Sequence, residues 1–379
     1  MTTPARAQGD EMAALREDSA ALHLLEFAAE RPVFELREPP RRALPHVWAW
    51  DDYYPMLLRA AELVDPDEAF RRSFMFANPG LRPRPFMTPT LDGACSLYNP
   101  GETAPVHRHT PSASRFGLEG DGGFSTVAGE KCTFGRGDLV LTPNGTWHDF
   151  GNEGDGRIVF IDVVNDPLCL ALGGTFYEVG YVEPEPGANG GRAVAKRLQS
   201  VRAPLEHSRN LYAGGGVVPR FAPHERARDR DASPMFVYRY EETRARLAAL
   251  RDYDASPYDG VIVEYVNPVN GAPAMPSMSF HMQLLRRGEA TATHRHTAGT
   301  VYCAVEGAGR TTVDGETLRW RRNDVFVVPG WTWHAHCAGA DEDAVLYSVS
   351  DEAALRKLGL YREQGRRGDG EIVELAWPA

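Results

Sequence analysis

The chain has few cysteines and no long apolar run. Its five cysteines are odd in number and form no Cys-x-x-Cys pair: Cys95, Cys132, Cys169, Cys303 and Cys337. This usage argues against a disulfide framework and predicts reduced thiols in a cytoplasmic protein. No stretch is apolar over the roughly 20 residues that a transmembrane helix requires. The first 12 residues lack the apolar core of a secretory signal, so we expect neither secretion nor membrane insertion.

The chain also has fewer basic than acidic residues. The 379 residues include 41 Lys and Arg against 52 Asp and Glu, giving a formal net charge of −11. This excess of negative charge argues against a nucleic-acid partner. The hydrophobic fraction of 42% and the charged fraction of 25% are ordinary for a globular protein. The length is sufficient for two domains with buried cores.

The sequence contains the tetrapeptide His-Arg-His-Thr twice, at residues 107–110 and 294–297. A Trp-His pair follows each copy. Its histidine is His148 in the first copy and His334 in the second, 39 and 38 residues after the second histidine of the tetrapeptide. The same residues at nearly the same spacing indicate an internal duplication.

The spacing of these histidines predicts a metal site. Side chains i and i+2 of a β-strand lie on one face, so His107 and His109 direct two imidazoles to the same side. His148 completes a cluster of three if the chain returns on an adjacent strand. Imidazole suits iron, zinc, copper and nickel. Because three protein ligands leave coordination positions open, we predict a catalytic rather than a structural site.

Both halves of the chain have the pattern of short β-strands separated by Gly, Pro, Asn and Asp. In the first half the predicted strands are Ser114–Leu118, Phe124–Val127 and Asp138–Thr142. In the second half they are Val301–Val305, Arg310–Val313 and Asp324–Val328. Short strands with turn residues between them favour an all-β sandwich or barrel.

The residues around the histidines resemble known motifs. Segment 137–152 carries Gly, Pro, Gly, His and Asn at a spacing similar to the second motif of the cupins, which are small β-barrels. His107-x-His109 resembles the first cupin motif, but Arg115 stands downstream where most cupins have a Glu ligand. This combination resembles the gentisate 1,2-dioxygenase family, with its salicylate and 1-hydroxy-2-naphthoate dioxygenase relatives. The resemblance extends over residues 40–365.

The resemblance implies an all-β fold of two cupin barrels, which are double-stranded β-helices of jelly-roll type, with an N-terminal helical arm. The expected domains are an arm at 1–75, disordered over 1–18 and then helical, a first cupin with the metal site at 76–180, a linker and helical segment at 181–255, a second cupin at 256–350 and a tail at 351–379. Predicted helices are Ala20–Glu30, Pro55–Leu63, Glu241–Arg251 and Glu352–Leu358.

The resemblance also implies an activity. Members of this family are Fe(II)-dependent dioxygenases that cleave an aromatic ring beside a carboxylate, using both atoms of O2 and no organic cofactor. The implied partners are a small aromatic carboxylic acid and O2. Here His107, His109 and His148 would hold the iron, which the substrate would meet through its carboxylate and ortho-hydroxyl. The family further implies a homo-oligomer, with a tetramer as the expected state.

Further site residues follow from the same resemblance. Arg115 is the candidate catalytic and substrate-binding residue, because a guanidinium offers the planar donor fork that a carboxylate accepts. Arg71 and Arg72 are additional candidates for a carboxylate clamp. Asp162 resembles a family position from which it would hydrogen-bond a ligand histidine, and it is the second candidate catalytic residue.

Three positions depart from the family pattern. The family usually has a His where this chain has Phe150, and many relatives have an aromatic residue and a Gln where this chain has Asp92 and Ser96. We expect these residues to line a reshaped substrate pocket. The predicted substrate is therefore a hydroxylated or aminated aromatic carboxylate other than gentisate.

The second histidine cluster allows two interpretations. His294, His296 and His334 have the spacing of a second metal site, but the C-terminal cupin of the family generally carries no iron. Tyr302 also stands where Arg115 stands in the first copy. The alternative is a packed barrel interior whose histidines satisfy their own hydrogen bonds.

Two other functions stay open at this point. A three-histidine site also suits a non-oxidative cupin enzyme, such as an isomerase or hydrolase using zinc, nickel or manganese. A barrel without activity could instead bind an aromatic acid. Oxygen consumption separates the first from ring cleavage, and ligand binding by metal-inert protein would favour the second.

Overall fold

The computed structural model describes residues 4–65, 72–181, 205–215, 217–221 and 231–377. The chain divides into two compact units, Met1–Pro40 and Arg41–Ala379. Within the described residues, no helix is long and apolar enough to cross a membrane.

The first unit contains two helices in its described part, α1 (Pro4–Ala21) and α2 (Phe27–Phe34). Helix α1 covers most of the segment for which we expected disorder, and its alanine, arginine and glutamate residues favour a helix locally. The helix predicted at Ala20–Glu30 is instead interrupted, because α1 ends at Ala21 and His23 adopts a left-handed backbone with φ 57°.

The second unit consists mainly of strands. Its helices are α3 (Trp50–Leu63), α4 (Asp166–Ala171), α5 (His207–Tyr212), α6 (Tyr240–Leu250) and α7 (Glu352–Lys357), with a 3-10 turn at Pro79–Leu81. Its strands are β1 (His46–Trp48), β2 (Ser73–Met75), β3 (Asp92–Tyr98), β4 (Thr103–His109), β5 (Ala113–Glu119), β6 (Gly123–Val127), β7 (Glu130–Phe134), β8 (Leu139–Thr142), β9 (His148–Asn152), β10 (Ile158–Val164), β11 (Tyr177–Val179), β12 (Val237–Tyr238), β13 (Val261–Glu264), β14 (Ser279–Leu285), β15 (His294–His296), β16 (Thr300–Glu306), β17 (Ala308–Val313), β18 (Glu316–Arg321), β19 (Val325–Val328), β20 (His334–Ala338), β21 (Ala344–Ser350), β22 (Glu363–Arg366) and β23 (Ile372–Ala376).

These strands form two barrels of two antiparallel sheets each. The sheets of the first barrel have the orders β12-β8-β5-β10-β3-β2 and β11-β4-β9-β6-β7. Those of the second have the orders β1-β19-β16-β21-β14-β13 and β18-β17-β20-β15-β22-β23. The prediction of an all-β protein with two barrels is confirmed, and each strand predicted around the histidines is present to within two residues at its start.

Each barrel is completed by a short strand from outside its main segment. β1 precedes the first barrel in sequence but pairs with β19 of the second, with His46 opposite Val327. β12 follows the first barrel but pairs with its β8, with Val237 opposite Val140. The barrels are therefore interleaved along the chain. The domain boundaries expected from the sequence, at residues 75, 180, 255 and 350, stay a prediction.

A common apolar core joins the two barrels. Because side chains alternate along a strand, β5 directs one face into its own barrel and the other toward the second barrel. Phe116 of β5 is buried and stacks on Tyr347 of β21, with ring centroids 4.0 Å apart and planes 3° apart. Leu97, Ile161 and Val349 belong to the same cluster. Burial of each such side chain stabilises the fold by roughly 1.5–3 kcal/mol.

A buried carboxylate adds a polar contact to this joint. Asp351 lies just before α7 and is 4% exposed. Its Oδ2 accepts a hydrogen bond of 2.7 Å from Thr90 Oγ1, on the segment leading into β3, and its Oδ1 accepts one of 2.9 Å from the Gly299 amide. Burial raises the pKa of Asp351 to about 6. The folded protein therefore holds this proton more tightly than the unfolded chain does.

The pKa of Asp351 predicts a pH dependence that Asp351→Asn removes. An unfolded Asp has a pKa of about 3.9. The contribution of the Asp351 proton to the free energy of unfolding is therefore fully present below that pH, and it is lost as the pH rises to about 6. Relative to the variant, the wild type should lose at most roughly 1.4 kcal/mol for each pH unit in this window. Urea unfolding of both proteins from pH 4 to pH 7 measures the difference.

The control is Asp341→Asn, at an exposed position. Its unfolding free energy should follow that of the wild type across the same pH range. If the free energies of unfolding of the wild type and Asp351→Asn changed with pH in the same way, the raised pKa assigned to Asp351 would be contradicted.

Candidate metal centre

Three histidines meet in the interior of the first barrel. His107 and His109 lie on β4, and His148 lies opposite His107 on the neighbouring β9. Their ligand atoms all lie within 4.8 Å of one another, and the ring centroids are 4.2–5.6 Å apart. The sequence prediction of a cluster formed by i, i+2 alternation and a returning strand is confirmed in its geometry.

The hydrogen bonds of the three imidazoles set their tautomers. Nδ1 contacts a backbone carbonyl in each ring: His107 with Pro105 at 2.7 Å, His109 with Pro111 at 2.7 Å and His148 with Thr146 at 2.9 Å. Because a carbonyl only accepts, Nδ1 donates and the lone pair is on Nε2. Neutral imidazoles oriented in this way fit a divalent transition-metal ion.

Tyr177 covers this cluster and was missed by the sequence analysis. It lies on β11, which pairs with β4 and places Tyr177 opposite His109. Its ring stacks on His107, with centroids 5.6 Å apart and planes 22° apart, and on His109 at 6.1 Å and 18°. No motif in the sequence marks this tyrosine, because its position depends on how a distant strand pairs.

Arg115 and Asp162 form a buried ion pair inside the same barrel. They are cross-strand neighbours on β5 and β10. Arg115 Nε donates to Asp162 Oδ1 at 2.9 Å, and Nη2 donates to Oδ2 at 3.0 Å. Nη1 makes a longer contact of 3.3 Å with Ser125 Oγ. Asp162 therefore binds Arg115 rather than a ligand histidine as expected, because β10 adjoins β5 and not the histidine strands.

Phe150 contacts both the arginine and the histidine cluster. It follows His148 by two residues on β9 and is buried. The guanidinium carbon of Arg115 lies 3.6 Å from the Phe150 ring centroid, and the His107 centroid lies 6.3 Å from it. An aromatic face against a guanidinium is a cation–π contact. Phe150 thus packs beside the histidines, and its contact with substrate stays a prediction.

Asp92 and Ser96 are also buried, and both lie on β3. They occupy alternate positions around Ala94, which pairs with Asp162, so they share the interior face of the sheet. The Ser96 hydroxyl lies 2.6 Å from Ser73 Oγ on β2. The two residues therefore lie on the same sheet face as Asp162, and their contact with substrate stays a prediction.

Arg72 makes contacts away from the histidines in the described part of the chain. Its guanidinium pairs with the Glu102 carboxylate and donates to the carbonyls of Val64 at 3.2 Å and Leu97 at 2.9 Å. These bonds anchor the turn that leads into β4. Arg71, the neighbouring candidate clamp, lies outside the described residues.

The second barrel repeats the cluster. His294 and His296 lie on β15, His334 lies opposite His294 on β20, and their ligand atoms are again within 4.8 Å of one another. Burial lowers the pKa of His296 and, further, that of His334, with the neighbouring histidines as the second cause. Both imidazoles are therefore neutral near pH 7.

The fold and the paired histidine clusters define a class of protein, the two-barrel cupins. A cupin-domain model matches residues 96–164 and 281–350. A 5-aminosalicylate 1,2-dioxygenase from Comamonas sp is 37% identical over 98% of this chain and 94% of its own length. A gentisate 1,2-dioxygenase from Aquipseudomonas alcaligenes is 35% identical over 86% and 88%. The chain therefore belongs to the family of ring-cleaving dioxygenases that includes these enzymes.

A solved structure agrees with this assignment. The crystal structure of salicylate 1,2-dioxygenase from Pseudoaminobacter salicylatoxidans, an adduct with gentisate, superposes with a TM-score of 0.82 and 28% identity, covering 96% of this chain and 95% of that one. The chain is thus an oxidoreductase of the ring-cleaving type, as the sequence analysis expected.

Asp162→Ala tests the buried ion pair. The substitution leaves the Arg115 guanidinium, whose side chain is 7% exposed, without its opposite charge. Breaking a buried pair in this way should lower the free energy of unfolding by about 3–5 kcal/mol. Urea denaturation followed by tryptophan fluorescence measures the loss.

Asp51→Ala is the matched control, because it breaks an exposed pair with Arg321 whose side chains are 63% and 59% exposed. That change should cost no more than about 1 kcal/mol. An equal loss in both variants would show that Asp162 makes no special contribution.

Proposed function

We propose that this protein is an Fe(II)-dependent dioxygenase that cleaves the ring of a hydroxylated or aminated aromatic carboxylate. The observation that carries the proposal is the cluster of His107, His109 and His148 in the same barrel interior as the Arg115 guanidinium. The names of the relatives support the substrate class, since they include 5-aminosalicylate and gentisate dioxygenases.

His107, His109 and His148 would hold the metal through Nε2. Iron(II) bound there supplies a Lewis acid and a template that brings the aromatic ring and dioxygen together. The carbonyl partners of Nδ1 keep the three rings in the ligand tautomer. No organic cofactor is required by this scheme.

Arg115 would bind the substrate carboxylate, and Asp162 would position Arg115. Nε and Nη2 of the guanidinium are held by Asp162, whereas among the described residues Nη1 has only the 3.3 Å contact with Ser125. Nη1 is therefore the donor that gives up the weakest hydrogen bond when it binds the substrate carboxylate. A guanidinium held on one edge by a carboxylate is preorganised, so less side-chain entropy is lost on binding.

Phe150 would narrow the choice of substrate. Its ring offers no hydrogen-bond donor beside the histidines, where relatives usually have a His, so a polar ring substituent directed at it would lose its hydrogen bond to water. We infer a substrate other than gentisate, with Asp92 and Ser96 on the facing sheet as further lining residues. Arg72 and Arg71 stay secondary candidates for a clamp.

We further propose a homo-oligomer, with a tetramer as the expected state, and a cytoplasmic location. The five cysteines are all free in the structure, which suits a reducing compartment. Apolar side chains of the N-terminal unit, such as Phe27 and Phe34, are more than half exposed, as expected of residues that contact another chain.

Oxygen uptake tests the activity. Anaerobically Fe(II)-loaded protein should consume O2 with one member of a panel of ortho-hydroxy and ortho-amino aromatic acids, with a parallel change in product absorbance. His148→Ala removes a proposed ligand and should reduce the rate at least 100-fold. No uptake with iron shown to be bound would refute ring cleavage of this substrate class.

Phe150→His tests the substrate preference. The new imidazole has Ser125 as a cross-strand neighbour and adds a donor beside the histidines. One hydrogen bond of about 1 kcal/mol should raise kcat/KM for gentisate about fivefold relative to the preferred acid. Phe150→Leu, which stays apolar, is the control and should leave the ratio of the two kcat/KM values unchanged. An unchanged ratio in both variants would contradict the role of Phe150.

A further inference from the structure

The second histidine cluster repeats the hydrogen bonds of the first. His296 Nδ1 contacts the Ala298 carbonyl at 2.9 Å, two residues after it, as His109 does with Pro111. His334 Nδ1 contacts the Thr332 carbonyl at 3.0 Å, two residues before it. Two of the three rings are therefore held in the tautomer that presents Nε2 to a metal.

One of these nitrogens has no hydrogen bond in the described structure. His334 is 1% exposed, and its Nε2 is a buried atom without a hydrogen-bond partner. A packed interior in which the histidines satisfy their own hydrogen bonds would pair this atom, because an unsatisfied buried acceptor costs about 1–3 kcal/mol. A metal ion between the three rings would satisfy it.

His294 differs from its counterpart in the first barrel. Its Nδ1 lies 3.6 Å from Glu363 Oε1, whereas His107 meets a backbone carbonyl. Glu363 Oε2 accepts a hydrogen bond of 3.0 Å from Tyr361. The 3.6 Å separation exceeds a hydrogen bond, and His294 Nδ1 has no hydrogen-bond partner among the described residues. A carboxylate that closes this gap when Nε2 binds a metal would make the imidazole a stronger ligand, as in the carboxylate–histidine–zinc arrangement.

The cavity at this cluster has the opposite electrostatic character to an aromatic-acid site. It measures about 310 Å³, and its acidic lining residues are Asp259, Glu264, Glu352 and Glu363. Arg356 is the one arginine among the described lining residues, and it is paired with Glu352 at 2.6 Å. This lining favours cations over carboxylates.

The register explains the difference between the two barrels. In the first barrel Arg115 lies opposite Asp162, and in the second Tyr302 lies opposite Ser348 at the same positions of the paired strands. The guanidinium proposed to bind a carboxylate therefore has no counterpart on this wall.

We propose that the second barrel binds a divalent transition-metal ion through His294, His296 and His334, with Glu363 orienting His294. The acidic cavity beside the ion admits water or a cationic ligand and rejects aromatic carboxylates. This site is separate from the proposed ring-cleavage site and does not depend on it.

Metal stoichiometry tests the proposal without any assay of activity. Apo protein is loaded with Co(II), desalted and analysed for metal per chain. We expect two ions in the wild type, one in His148→Ala and none in the double variant His148→Ala/His334→Ala. The matched control, His148→Ala/His281→Ala, removes another histidine that lines the same cavity and should retain one ion.

A conservative change guards against a variant that fails to fold. Glu363→Gln in the His148→Ala background keeps the side-chain volume and should weaken Co(II) binding 10- to 100-fold, measured by calorimetric titration. One ion in the wild type with none in His148→Ala would overturn the proposal. Retention of an ion by His148→Ala/His334→Ala would also overturn the proposal. Unchanged affinity in the Glu363→Gln protein would overturn the role of Glu363.

Discussion

The structure depends on strands that must serve two interiors at once. In β5 the side chains alternate between Arg115, which faces the interior of the first barrel, and Phe116, which stacks on Tyr347 in the core shared with the second barrel. A slip of one residue would exchange these faces and place a guanidinium in the apolar core. The register that joins the barrels is thus the register that builds the site, and neither can change alone.

Duplication gave two similar barrels whose interiors then diverged in charge. Matching register positions carry Arg115 and Tyr302, Asp162 and Ser348, and Phe150 and His336. The backbone tolerates the divergence because each exchange occurs on an inward face and leaves the ladder hydrogen bonds in place. One scaffold therefore places an arginine–aspartate ion pair beside one histidine cluster and an acidic wall beside the other. The two are suited to different ligands.

A turn that occurs in both copies of the repeat also connects the two barrels. Gly137 has φ 80°, and Asn323, at the same place in the second copy, has φ 69°, a left-handed conformation that Asn tolerates better than most residues. Arg136 donates to the Asn323 side chain at 2.8 Å and to the Val305 carbonyl at 2.5 Å, so it ties the turn of one barrel to the other. These contacts, and strand β1, which precedes the first barrel but pairs in the second, link the two barrels within one compact unit.

The sequence by itself determined the strands, the duplication and the three-histidine cluster, because these features are local. Side chains alternate along a strand, and the carbonyl groups that orient His109 and His148 lie two residues from each ring. Only the tertiary structure decided that Asp162 holds Arg115 and that Tyr177 covers the histidines. Those contacts depend on which strands become neighbours, and strand order follows from packing the whole chain rather than from any local pattern.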